Sequence, residues 1–130
     1  MIVVDASALL EVLLNTPDSV RIADRLFAPD ETLHAPHLID LEVAQALRRY
    51  ALSGQLEASR GLQALEDLGE FPLLRYPHDL FLPRIWELRD NATAYDAAYV
   101  ALAEALPAPL LTRDSALAST PAHHARIELI

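Results

Sequence analysis

Four acidic residues stand where apolar runs of the chain begin or end. Asp5 follows Ile2-Val3-Val4, Glu42 lies in Leu41-Glu42-Val43-Ala44, Asp96 lies in Thr93-Ala94-Tyr95-Asp96, and Asp114 follows Leu110-Leu111-Thr112-Arg113. Carboxylates gathered at one place suit Mg²⁺ or Mn²⁺, which favour oxygen ligands, keep several waters and complete their shells with phosphate oxygens of a substrate. Without a cation the same group repels itself, which raises the pKa of some members and destabilises the fold. Each acid alone also has a plainer role. Asp5 and Asp114 precede helical segments and suit an N-cap, Thr93 and Asp96 have the spacing of a capping box, and Glu42 suits the solvated edge of an apolar helical surface.

The elements that would carry these residues alternate between strand and helix. Ile2-Val3-Val4 and Leu110-Leu111-Thr112 have the continuous apolar character of strands buried on both faces. Further strands are expected over 32–35, over 71–76 with a proline at the start, and over 126–130. Helices are expected over 6–14, from Asp18 or Ser19 to about 27, from Pro36 to Leu52 with Ser53-Gly54 as the stop, over 56–68 with Gly69 as the terminating glycine, over 79–90, over 94–106, and over 115–118. Leu38, Leu41, Ala44, Leu47 and Leu52, then Leu62, Leu65 and Leu68, and then Leu82, Ile85, Trp86 and Leu88 are the expected core-facing stripes. The order predicts an α/β fold, a central and mostly parallel sheet of about 4–5 strands flanked by helices, with functional groups beyond the carboxyl ends of the strands.

At 130 residues the chain suits one domain, 1–130. It has no cysteine, so disulfides and cysteine-based zinc sites are excluded, and a reducing cytoplasm is the expected setting. No stretch is long and apolar enough for a signal peptide or membrane span. All ten basic residues are arginine against nineteen acids, and the net charge of −9 argues against broad affinity for polyanions. Arg48, Arg49 and Arg113 stand beside two of the acids and suit bidentate phosphate contacts, solvated surface being the alternative.

The motifs Ile2-Val3-Val4-Asp5-Ala6-Ser7-Ala8-Leu9, Leu41-Glu42-Val43-Ala44-Gln45-Ala46-Leu47-Arg48-Arg49, Thr93-Ala94-Tyr95-Asp96-Ala97-Ala98-Tyr99-Val100-Ala101-Leu102-Ala103 and Leu110-Leu111-Thr112-Arg113-Asp114 occur in this order. With them the whole chain resembles the PIN-domain ribonucleases, and among these the VapC-like toxins of toxin–antitoxin pairs. The resemblance implies a PIN-like fold and an acidic, metal-binding and catalytic cluster of Asp5, Glu42, Asp96 and Asp114, with Ser7 and Thr112 as supporting hydroxyls. It also implies a Mg²⁺- or Mn²⁺-dependent endoribonuclease, RNA as substrate, a VapB-like antitoxin as partner, and a homodimer; Arg48, Arg49 and Arg113 are then the candidate RNA contacts on their own chemistry. The chain departs from the family pattern at Pro107-Ala108-Pro109, where a glycine is expected, and in having no lysine.

Two other functions compete. A phosphoaspartyl protein would use Asp5 as nucleophile, but receiver-like sites rely on lysine, and the related phosphatase motif wants an aspartate where Ser7 stands. A catalytically inactive PIN-like module would bind a protein through its apolar surface, and the presence of all four acids speaks against it. His123-His124 on a loop do not point to one centre, and His34, His37 and His78 are scattered. Trp86 and the tyrosines suit the core first and base stacking second.

Overall fold

The computed structural model describes all residues from Met1 to Ile130. Five strands, β1 (Ile2–Val4), β2 (Leu33–Pro36), β3 (Leu73–Tyr76), β4 (Leu110–Thr112) and β5 (Ile127–Leu129), form one sheet in the order β3-β2-β1-β4-β5. Every pair is parallel. Ile2, Val3 and Val4 are fully buried because β1 is central and covered on both faces. Each such side chain contributes about 1.5–3 kcal/mol of burial.

Seven helices complete the chain: α1 (Ala6–Leu13), α2 (Ser19–Leu26), α3 (Leu38–Leu52), α4 (Ala58–Glu70), α5 (Leu82–Glu87), α6 (Ala94–Ala105) and α7 (Ser115–Ala118). Helices α1 to α4 pack among themselves, α5 packs on α6, and α6 lies on β1 and β2. Right-handed crossovers put α1–α4 on one face of the sheet and α5–α7 on the other. The strand order reverses between β1 and β4, the position at which parallel sheets open a crevice at their carboxyl ends.

Three expectations about element boundaries need correction. Gly69 does not end α4, which continues to Glu70. The stop comes at Phe71, held extended (φ −65°, ψ 137°) because Pro72 follows and disfavours helical geometry before it. The helix expected over 79–90 divides into a 3₁₀ turn, Asp79–Phe81, and α5. Pro83 lacks the amide that would continue the ladder, so it restarts a helix at its first turn instead of extending one. The strand expected from Phe71 starts at Leu73, beyond Pro72.

The leucine stripes are also redistributed. Leu41, Leu52 and Leu62 are well exposed, and the core side of α3 and α4 is formed by Ile39, Val43, Ala46, Leu47, Gly61, Ala64 and Leu68. Trp86 is 68% exposed, with the Arg89 guanidinium 4.8 Å from its ring centre, and Leu82 is exposed as well. Leu88 holds the buried position on this segment. Of the histidines, His34 is buried, its Nε2 paired with Thr32 Oγ1 at 2.7 Å and its Nδ1 with Tyr76 OH at 2.6 Å. Burial, then the N-terminal ammonium, push its pKa down. Both ring nitrogens therefore serve the sheet.

Candidate active site

Strand register builds the floor of the site. Val4 pairs with Leu111, and the Asp5 amide donates to Leu111 O at 2.9 Å, so Asp5 and Thr112 emerge side by side at the carboxyl ends of β1 and β4. Asp5 occupies the N-cap position of α1 (φ −83°, ψ 152°), yet its side chain caps nothing. Its Oδ2 accepts from Ser7 Oγ at 2.6 Å and from Thr112 Oγ1 at 2.8 Å. These hydroxyls are themselves aligned by backbone amides: Arg113 N donates to Ser7 Oγ at 2.9 Å, and Asp114 N to Thr112 Oγ1 at 3.0 Å. The carboxylate is nearly buried, one oxygen is doubly held, and Oδ1 accepts no hydrogen bond from the protein.

The other acids come from three further elements. Asp114 is exposed and caps α7, its Oδ1 accepting from Ala116 N at 2.8 Å and Leu117 N at 3.4 Å. The plainer reading holds there for one oxygen, and the second stays free of the cap. In the first turn of α6, Asp96 N donates to Thr93 Oγ1 at 3.1 Å, while the Asp96 carboxylate makes no return bond to the Thr93 amide. Glu42, half-buried on α3, accepts a 2.6 Å hydrogen bond from Tyr99 OH.

All four acids line one open cleft of about 630 Å³, together with Ser7, Glu11, Leu41, Arg49, Tyr50, Tyr95 and Arg113. Their electrostatic coupling follows. Burial pushes the Glu42 carboxyl up, the Tyr99 hydrogen bond opposes this, and the charges of Asp5 and Asp96 push it further up. Asp96 is raised by burial, then by Asp5 and Asp114, with the Thr93 hydroxyl opposing. The Tyr99 phenol is raised by burial and by the Glu42 charge, so it keeps its proton and donates.

Arg49 is exposed at the cleft rim, whereas Arg48 is exposed elsewhere on α3 and does not line the cleft. Arg113 lines it but is engaged: its guanidinium contacts Asp18 at 3.0 Å, Glu11 at 3.6 Å and Ile130 O at 3.3 Å. The sequence points to the core for Tyr99 and gives it no place in the site. The available signal was a phenol one helical turn after Asp96 in a buried run, since a buried tyrosine hydroxyl needs a polar partner.

The donor set is all oxygen, which suits a hard divalent cation. No three His, Asp or Glu side chains close around one point. A cation whose shell is partly water fits this open arrangement, as Mg²⁺ prefers.

Comparison with known proteins agrees with the architecture. The PIN domain family matches residues 2–122. Ribonuclease VapC9 of Mycobacterium tuberculosis is 48% identical over 120 residues, covering 92% of this chain and 91% of the relative. Ribonuclease VapC12 of the same species is 42% identical over 130 residues, covering 100% and 99%. Among solved structures, PAE2754 of Pyrobaculum aerophilum superposes with a TM-score of 0.70 at 28% identity, covering 97% of this chain and 81% of the other. VapBC2 of Rickettsia felis, bound to a DNA fragment of its promoter, gives a TM-score of 0.70 at 17% identity, covering 99% and 98%, a likeness of fold. A sheet that reverses its strand order beside Asp5, a cleft of four coupled carboxylates and the match over nearly all its length show that this chain belongs to the PIN-domain family.

Proposed function

We propose that this chain is a metal-dependent endoribonuclease, the toxin of a VapBC-type toxin–antitoxin pair. The observation that carries the reading is the set of four carboxylates from four separate elements lining one cleft, in a chain whose relatives are ribonucleases by name. Nothing favours the catalytically inactive alternative.

Asp5, Glu42, Asp96 and Asp114 would hold one or two Mg²⁺ or Mn²⁺ ions. Bound there, the cation would polarise the scissile phosphate and make water a stronger nucleophile at neutral pH. Asp5 offers Oδ1, because Ser7 and Thr112 fix Oδ2. Asp114 offers the oxygen that does not cap α7. Burial and the neighbouring carboxylates raise the Glu42 and Asp96 carboxyls, and a bound cation would relieve that repulsion. Purified chain should cut RNA with Mg²⁺ or Mn²⁺ and stop on addition of a chelator; cutting that continues in the chelator would refute the reading.

Arg48, Arg49 and Arg113 are the proposed RNA contacts, and their settings set different expectations. Arg49 is free at the rim, so Arg49→Ala should weaken RNA binding several-fold and leave the melting temperature unchanged. Arg113→Ala should weaken RNA binding and also lower the melting temperature, because Glu11 on α1, Asp18 before α2 and the Ile130 carbonyl after β5 lose a shared cation. Binding isotherms paired with thermal melts check both; a cool-melting Arg49→Ala would reverse the assignment.

A VapB-like antitoxin is the proposed partner. The VapBC2 neighbour supports it, as does Leu41, 75% exposed on the cleft wall where a covering chain would bury it. A homodimer and a cytoplasmic location belong to the same proposal; no helix is long and apolar enough to cross a membrane.

A further inference from the structure

The polar tip of Tyr99 is an anomaly in its surroundings. Ala97, Ala98, Val100, Ala101, Leu102 and Ala103 make α6 a buried apolar helix, and Tyr99 among them is fully buried. A phenylalanine would fill the same space. The hydroxyl instead leaves α6 and donates to Glu42 Oε1 on α3 at 2.6 Å, a short bond to a charged acceptor. It is the one hydrogen bond the Glu42 carboxylate accepts from the protein. The arrangement differs from that of Asp5, which is held by two hydroxyls. Glu42 has a longer side chain and a single tether.

The geometry points to Tyr99 as the positioning residue that fixes the Glu42 carboxylate, presenting its other oxygen to a divalent cation in the cleft. This rests on the metal-dependent reading above and extends it to a residue outside the acidic set. The physical basis is preorganisation. A glutamate held in one rotamer before the cation arrives loses less freedom on binding than one that must be ordered by it. Outer-shell partners that orient a ligating carboxylate typically govern about 10- to 100-fold in metal affinity or activity. Tyr99 also ties α6, which carries Asp96, to α3, which carries Glu42, so one phenol fixes the spacing of two of the four carboxylates.

The test is a Mn²⁺ titration of the whole chain by calorimetry, without RNA, on the wild type, Tyr99→Phe, Glu42→Gln and the double variant. Tyr99→Phe should bind Mn²⁺ on the order of 10-fold more weakly while its metal-free melting temperature stays close to wild type, since the ring volume is kept. If Tyr99 acts through Glu42, adding Tyr99→Phe to Glu42→Gln should cost almost nothing further. Unchanged Mn²⁺ affinity in a folded Tyr99→Phe would overturn the proposal, and so would a double variant that loses as much again. A Tyr99→Phe chain that fails to fold would show that the hydroxyl serves the core, which also overturns it. No saturable Mn²⁺ binding by the wild type would defeat the metal reading itself, separating that failure from the failure of the tether.

Discussion

Asp5→Asn should reduce RNA cleavage by about 1,000-fold or more, the size expected when several kcal/mol of metal-assisted stabilisation is lost, and it should do so in a folded protein. The direction follows from the hydrogen bonds around that side chain. Ser7 and Thr112 both donate to Oδ2, and asparagine has a single acceptor oxygen to offer them. Its amide oxygen must therefore take the Oδ2 place, which leaves an NH₂ group where Oδ1 faced the cleft. A donor now points at the proposed cation position. The neutral replacement keeps the side chain's shape and both hydroxyl bonds, so the metal-free melting temperature should fall little if at all. Cleavage assays with Mn²⁺, run beside thermal melts of the same preparation, check both halves. Near wild-type cutting by a folded Asp5→Asn chain would remove Asp5 from the site.

A second large effect concerns stability and has the opposite sign. Asp96→Asn should melt a few degrees higher than wild type in metal-free buffer at neutral pH, the shift that about 1 kcal/mol produces in a small domain. The Asp96 carboxyl is raised overall, because burial and the charges of Asp5 and Asp114 outweigh the opposing Thr93 hydroxyl. A carboxyl whose pKa is higher in the folded than in the unfolded chain contributes stability that is fully present below the unfolded value and is lost as pH rises through the folded one. The advantage of Asp96→Asn should therefore be widest at neutral and alkaline pH and should close as pH falls toward 3.8, the ordinary aspartate value. Excess Mn²⁺ should invert the order, because binding at a hundred times its Kd adds about 2.7 kcal/mol to the wild type alone. Melting curves across pH, with chelator and with Mn²⁺, test this; a metal-free Asp96→Asn that melts lower than wild type at neutral pH would contradict it.

Much of the architecture was legible because it rests on local pattern. Ile2-Val3-Val4 and Leu110-Leu111-Thr112 read as doubly buried strands, and the sheet uses them as its centre and immediate neighbour. Asp5 and Asp114 follow those strands in sequence, so their meeting at the carboxyl end was a consequence of parallel order. The errors came where hydropathy has no directional content. Leu41 and Leu62 are as apolar as Leu47 and Leu68, and only packing shows that the first two face outward. Gly69 is a local stop signal, but Pro72 acts on its predecessor Phe71 and sets the boundary.

Within the site, sequence carried residue type but not partnership. The same capping position is used differently by two aspartates: Asp114 caps its helix, while Asp5 turns to hydroxyls contributed by Ser7 and by Thr112, 107 positions away. Arg113 looked free beside an acid, and its partner Asp18 lies 95 positions earlier. Tyr99 was hidden in an apolar helix because its function depends on one atom reaching an element 57 positions distant. Long-range pairs of this kind are set by register and crossover, which no local window contains.

With a net charge of −9, the chain cannot hold RNA by general attraction. Selectivity should come from the cation site, a few arginines and the fit of an unpaired loop whose bases can be splayed out. The most direct measurement is digestion of total cellular RNA by purified chain with Mn²⁺, followed by sequencing of the new ends, with Asp5→Asn as control. The account predicts cuts at one or a few single-stranded loop positions that vanish in the control. Uniform degradation of all RNA, equal cutting of duplex, or the same ends from Asp5→Asn would contradict it.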